Sequence, residues 1–347
     1  MLANLGHLFD PEKVVIVVQV EDGILDFSEE DESSLQRDKL NRNRHLTALF
    51  LLPTVLLLAL QFVLQAHAGG GESKPRNVRL YVSVYDQEGK PVEGLLANDL
   101  EVLEDHKAQV ISSLHYEKGS PVSLGVLIDI GKKMGGERIN FALDWLKSFA
   151  KKLKSPDEFF VNGFSDDSQE LVDFVSPEDY LEEPLDHLST GGQSATGLAL
   201  DLAMIKLRQG RNPKKGVIFL SAGMDVAGPA TLDHVAGFGY PIHSLVVDIG
   251  GGDGIIGSLD WLKNLSIRGP AIKVYADQSG GIILPLTSSL EGQEAITKVV
   301  SELKNQYRLE FTSSSSKKTG NFVKLQIKTK RPDYQVHYLK RYQIPRR

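Results

Sequence analysis

Apolar and polar positions alternate along this chain at two different periods, and the period changes twice. Val78, Leu80, Val82 and Val84 alternate with Arg79, Tyr81, Ser83 and Tyr85, the period-two pattern of a strand with one buried face. Residues 100–103 and 109–115 read as two further short strands around a polar turn at 104–107. From Pro121 the pattern becomes continuous apolar runs separated by segments of helical spacing. The runs are 122–130, 158–164, 216–221 and 243–249, the length of strands buried on both faces. Ile139, Ala142, Leu146, Phe149 and Leu153 share one face of a helix over about 137–154, and helices are also expected at 177–188, 195–208, 259–265 and 290–306, with a helical turn at 232–237. Residues 171–175, 272–276 and 282–286 read as extended. After Asn305 period two returns in Tyr307, Leu309 and Phe311, then in Val323, Leu325 and Ile327, and last at 334–339.

Buried strands alternating with helices imply right-handed βαβ units and a mostly parallel sheet. Each β flank alone has too few strands to close a core. One small β-sandwich built from 77–119 and 306–343, with an α/β domain of 120–305 inserted, accounts for both. The run 122–130 ends at the carboxylate of Asp129, and the carboxyl ends of parallel strands are where open α/β sheets place their ligand sites.

The region before this differs in kind. A strand is expected at 14–20, followed by a solvated, unstructured acidic run from Glu29 to Glu32. Arg42 and Arg44 precede an uncharged apolar segment, 46–64, and then Ala66-His67-Ala68. That order is the signature of a secretory signal peptide at 40–68, cleaved after Ala68; the alternative is an uncleaved anchor in the inner membrane through 46–64. Both readings export everything after the polar linker 69–76, to the periplasm or beyond the cell. Residues 1–39 make an abnormal acidic leader, which suggests that the true start lies downstream near Leu40.

Composition narrows the chemistry. There are no cysteines, which excludes disulfides, thiolate metal sites and cysteine nucleophiles. The formal net charge is −6, but ten acids and five bases fall in 1–68, so the rest is near neutral and a field that steers nucleic acid is not expected. The basic stretch 317–347 reads as the solvated face of amphipathic strands. Gly252-Asp253-Gly254-Ile255-Ile256-Gly257 matches a dinucleotide-binding pattern, with Asp277 twenty residues beyond, and keeps a nucleotide-using enzyme as an alternative; the plainer reading is a slack glycine-rich βα loop. The histidines show no metal-binding spacing and no serine sits in a nucleophile elbow, so no enzyme is expected.

With these residues in view, the chain resembles the von Willebrand factor A (VWA) domain family, closest to the exported bacterial type common in acidobacteria. The resemblance is carried by Tyr85-Asp86 through Gly89-Lys90-Pro91, by Pro121-Val122-Ser123-Leu124-Gly125 with Leu127-Ile128-Asp129, by Thr196-Gly197, by Ala276 through Gly280-Gly281, and by Gln306-Tyr307-Arg308-Leu309. It implies a Rossmann-like α/β fold and a metal-ion-dependent adhesion site, in which Asp-x-Ser-x-Ser, a Thr and a later Asp hold Mg²⁺. In this chain those positions are Asp129, Gly131, Lys133, Ser194 and Ala222, with Asp225 three residues further on. Only Asp129 and Ser194 could serve a residual weak metal site, and an ammonium at Lys133 opposes a divalent cation. The expectation is therefore a degenerate site, with Asp129 held by Lys133 or by backbone N–H groups. The module would bind a protein partner through this rim with no cofactor. A Mg²⁺-dependent adhesin with a weakened site is the alternative.

Overall fold

The computed structural model describes residues 15–21, 24–30, 76–180, 185, 188–222, 229–249 and 271–344. The signal or anchor segment 40–68, the glycine-rich 252–257, the helix expected at 259–265, Asp225 and much of 177–188 lie outside the described residues. Among the described residues no helix is long and apolar enough to cross a membrane. Residues 1–73 and 74–347 are two separate compact units. In the first, β1 (Val15–Glu21) and β2 (Ile24–Glu30) form an antiparallel hairpin. Leu25 and Phe27 alternate with Asp26 and Ser28 and stand opposite Val20 and Val18, and this pattern carries Glu29 and Glu30 into the ladder, where the sequence suggested an unstructured run.

The second unit begins with β3 (Arg76–Tyr85), β4 (Leu100–Glu104), β5 (Lys107–Gln109) and β6 (Ile111–Lys118). The α/β body follows: β7 (Val122–Asp129), α1 (Glu137–Ala150), β8 (Glu158–Phe164), β9 (Ser168–Val175), α2 (Thr196–Leu207), β10 (Lys214–Ser221), α3 (Pro229–Phe238), β11 (Ile242–Val247), α4 (Ala271–Ser279), β12 (Ile283–Leu286) and α5 (Ser289–Lys304). The chain then returns in β13 (Asn305–Ser313), β14 (Phe322–Thr329), β15 (Gln335–His337) and β16 (Arg341–Gln343).

Both flanks share two four-stranded sheets, β15-β3-β13-β6 and β16-β14-β4-β5. Strand β13 lies between β3 and β6, so the first sheet is completed only when the end of the chain comes back. Val82, Val84, Val102, Leu309, Phe311, Val323 and Leu325 fill the space between the sheets. The other face of β3 is not solvated as period two suggests. Ser83 and Tyr85 are buried against the α/β body, with Gln306 donating to Ser83 Oγ at 3.3 Å and Tyr85 Oη 3.4 Å from Ser301 Oγ on α5.

The body is one six-stranded sheet in the order β12-β11-β10-β7-β8-β9, parallel except for β9. Helices cover both faces. Trp145, Leu146 and Phe149 of α1 and Ile296, Val299 and Leu303 of α5 pack on Leu124, Val126 and Ile128. Ala199, Leu200 and Met204 of α2 pack with Tyr275 of α4 on Leu127, Phe160 and Phe219. Alternate residues of β7 feed opposite cores, which is why this strand reads as unbroken apolar sequence. Strand order reverses between β7 and β10, and the crevice outside their carboxyl ends is the switch point of the sheet. The segment read as extended at 272–276 is helical instead: Tyr275, Ala276 and Ser279 are buried on one side at helical spacing, and tertiary packing outweighs the β-branched Ile272 and Val274.

His243 in β11 is fully buried, and neither ring nitrogen has a hydrogen-bond partner. Burial pushes its pKa down to about 4, against the opposing pull of Glu302. The unfolded chain therefore takes up a proton near pH 6.5 that the folded chain refuses. Stability is intact above that pH and falls as pH drops towards 4, by an amount on the order of 3 kcal/mol from this group. The expected outcome is that His243→Leu melts at or slightly above wild type at pH 7.5 and loses less stability than wild type between pH 6.5 and 4.5. Melting curves across that range check it; parallel losses would rule it out.

Candidate functional site

Asp129 and Ser221 are the last residues of β7 and β10, and the parallel ladder that pairs Ile128 with Leu220 sets them side by side at the switch point. Asp129 is 2% exposed. Its Oδ1 accepts from the Gly131 N–H at 2.8 Å and from the Ser194 hydroxyl at 2.8 Å, and its Oδ2 accepts from the Ser221 hydroxyl at 2.7 Å. Hydrogen bonds to an ionised acceptor are about twice as strong as neutral ones, so the carboxylate ties three segments together.

Main-chain bonds lock the same segments. Gly191 N–H donates to Ile130 O at 2.8 Å, Lys132 N–H to Gly192 O at 3.0 Å, and Ala195 N–H to Ser165 O at 2.7 Å. From the β8–β9 turn, Asp166 Oδ1 accepts the Gln193 N–H at 2.9 Å. Met134, fully buried beneath a single 3₁₀ turn (Lys132–Met134), anchors the rim from below. Opposite it, Arg138 donates to Lys133 O at 3.2 Å and lies 3.6 Å from Asp248, just past β11.

Asp129, Gly131 and Ser194 are thus in mutual contact. Lys133 is not part of that cluster: its side chain is exposed, on a turn whose buried side is Met134. The expected Asp129–Lys133 ion pair is replaced by two hydroxyls and one backbone N–H, because those donors approach from inside the rim while Lys133 leaves it. Ala222 is half-buried against the core on the α1 and α5 side of the sheet. The partner missed in the sequence is Ser221, one residue before Ala222. Its signal was available, since it is a polar residue closing an apolar strand, as Asp129 is.

The donors among the described residues do not by themselves fit a tightly held Mg²⁺ ion. A hard divalent cation seeks near-octahedral oxygen ligation with at least one or two carboxylates, often with several waters. Among the described residues one carboxylate and two hydroxyls converge, with both hydroxyl protons donated to the carboxylate. Gly131 is part of the reason: a Cβ there would lie 2.6 Å from Ser194 Oγ and 2.9 Å from Asp129 Oδ1. Its absence lets Ser194 close directly onto Asp129 and fill the place a metal-binding serine would need.

Of the nucleotide pattern, only Asp277 is among the described residues. It lies within α4, not at a strand end, and pairs with Lys273 one turn earlier.

No family model matches the chain, and no curated protein matches it. Solved structures with similar folds include the conserved hypothetical protein BatB from Bacteroides thetaiotaomicron, at 15% identity and TM-score 0.41, covering 52% of this chain and 98% of that one. An aerotolerance-related membrane protein from Bacteroides fragilis aligns at 18% identity and TM-score 0.39, covering 52% and 99%. A von Willebrand factor type A protein from Catenulispora acidiphila aligns at 11% identity and TM-score 0.41, covering 79% and 74%. The strand order and the switch-point crevice make the body an open, Rossmann-like α/β sheet.

Proposed function

We propose that this chain is an exported, non-enzymatic protein-interaction module, acting in adhesion or scaffolding in the cell envelope or outside the cell. It binds through the rim of Asp129, Gly131, Lys133, Ser194 and Ala222, without a metal ion. The observation that carries this reading is the division of labour at the rim. The buried carboxylate is consumed by its own neighbours, while the cations Lys132 and Lys133 stand exposed above it. An acidic group of a partner then meets an ammonium directly, at the outer side of the rim. Beside the rim, α2 exposes Leu198, Leu202 and Ile205 at 46%, 40% and 53%, an apolar stripe at helical spacing that suits a protein contact. Export is supported by the basic, apolar and Ala66-His67-Ala68 sequence of 40–68.

The test is capture from an envelope fraction in EDTA, with the chain carrying a photocrosslinker at position 132 and Lys133→Glu as the control. A discrete adduct that survives EDTA and is lost in Lys133→Glu is expected. An adduct that needs Mg²⁺, or one indifferent to the charge at 133, would refute the reading.

A further inference from the structure

At the opposite side of the α/β body, away from the rim loops, a cleft of about 700 Å³ opens between α5, the end of α4 and β12 on one side and β3 and β15 on the other. Boundaries between packed units are common places for ligand sites, and this volume is in their usual range. Three independent features mark what the cleft would take.

The first is charge. Lys298 on α5 and Lys340 after β15 both line the cleft; among the described residues no salt bridge joins either, and Asp277 attracts Lys340 from a distance. Lys340 is half-buried and lies 3.5 Å from the centroid of the Tyr338 ring. The acids of the cleft are already engaged: Asp277 with Lys273, and Glu302 through Oε1 with His337 Nδ1 at 2.6 Å. Lys298 and Lys340 are therefore the cleft cations that no salt bridge occupies, in a lining whose two acids balance them in number.

The second is exposed main chain. β12 and β15 are the end strands of their sheets, and both line the cleft. The carbonyls of Ile282 and Leu286 accept from Ser244 and Asp248, on the β11 side. Ile283, out of phase by one residue, therefore turns its N–H and C=O away from the sheet. Pro285 offers no N–H, which limits the outward edge to a short contact and guards it against indiscriminate pairing.

The third is an orphan acceptor. Glu302 is 3% exposed, and its Oε2 makes no close hydrogen bond, with only the Tyr85 hydroxyl of the same lining near enough to interact with the carboxylate. A buried carboxylate oxygen without a donor is costly, and a donor brought by a ligand removes that cost.

We infer that this cleft is a second binding site, for an extended peptide segment that carries carboxylate side chains. The peptide backbone meets the Ile283 edge, one of its N–H groups reaches Glu302, and its carboxylates meet Lys298 and Lys340. Edge pairing with side-chain pockets is a general mode of peptide recognition. The site shares no residue with the rim and does not depend on the rim's function.

The test uses the full chain and a short fluorescein-labelled peptide alternating valine with glutamate, read by anisotropy. Saturable binding is expected, weakened about tenfold or more by the double variant Lys298→Gln/Lys340→Gln and reduced at high salt. Hydrogen exchange with bound peptide should show protection confined to 282–286 and 335–340. The variant's unchanged melting temperature shows that its loss is not unfolding, and Ile283→Pro, which removes the outward N–H, should weaken binding as a separate check. The inference fails if the peptide does not bind, if a glutamine-for-glutamate peptide binds equally well, or if protection falls elsewhere. Displacement by succinate at the peptide's own concentration would also overturn it, since the site would then take a small dianion and not a strand.

Discussion

Asp129→Ala is expected to lower the stability of the 74–347 unit by roughly 3–5 kcal/mol, a fall in melting temperature of about 10 °C. Three donors converge on this carboxylate. Each hydrogen bond to a charged group contributes about 1.5–3 kcal/mol net, and the contributions do not add fully. Alanine also leaves Ser221, which is 2% exposed, facing an empty place. Asp129→Asn keeps the shape and one acceptor, and its amide can donate to a serine oxygen, so about half that loss is expected. The order Ala worse than Asn worse than wild type, in EDTA, is what a structural acid requires. A carboxylate kept only to bind a cation would behave in the opposite way: in the metal-free protein its removal would be neutral or stabilising. Thermal melts of the three proteins in EDTA distinguish the two.

Gly281→Ala is expected to be more damaging still. A Cβ at 281 would lie 2.0 Å from Ile242 O and 2.5 Å from Ile242 C, at the start of β11. The atoms it meets are backbone within a paired strand, so no side-chain rotation relieves the clash and the strand itself must shift. Gly280 is pressed in the same way against the β-sandwich: its φ is +79°, and a Cβ there would lie 2.4 Å from Tyr338 C. Together these two residues let α4 end against both β11 and the chain leading into β16. A loss of more than about 4 kcal/mol is expected for Gly281→Ala, enough to prevent recovery of soluble folded protein for a unit of ordinary stability. Gly320→Ala is the matched control, with φ +86° and nothing within 4 Å of the new Cβ, and should cost only about 1 kcal/mol. The yield of soluble folded protein, and urea midpoints for the chains that are recovered, read the difference; equal losses at 281 and 320 would contradict the close approach.

The fold was legible because hydrophobic period tracks burial. The change from period two to unbroken apolar runs at Pro121, and back after Asn305, separates strands with one buried face from strands buried on both. Reading failed where that link breaks. Ser83 and Tyr85 sit on the face that period two assigns to solvent, yet the α/β body covers them, and no local pattern reports a surface buried by a distant segment. At 272–276 a short β-branched sequence reads as extended, whereas the contacts of Tyr275, Ala276 and Ser279 make it helical. The site shows the same division. Asp129 announced itself as an acid closing a buried strand, and Gly131, Lys133, Ser194 and Ala222 followed from its resemblance to a metal site. What became of that site could not be read from spacing. Ser194 is sixty-five positions from Asp129 and Ser221 ninety-two, and only the parallel pairing of β7 with β10 and the closure of the rim loops brings them together. Lys133, four residues from Asp129, was the natural partner by distance along the chain, but the turn that buries Met134 points it outward.

Asp129 is satisfied by protein donors, and the proposed rim works without a metal. Isothermal titration calorimetry of the EDTA-stripped full chain with Mg²⁺ and Mn²⁺ at millimolar concentration tests it most directly. No saturable heat is expected for either ion. A one-site isotherm that disappears in both Ser221→Ala and Asp129→Asn, with each variant still folded, would contradict it.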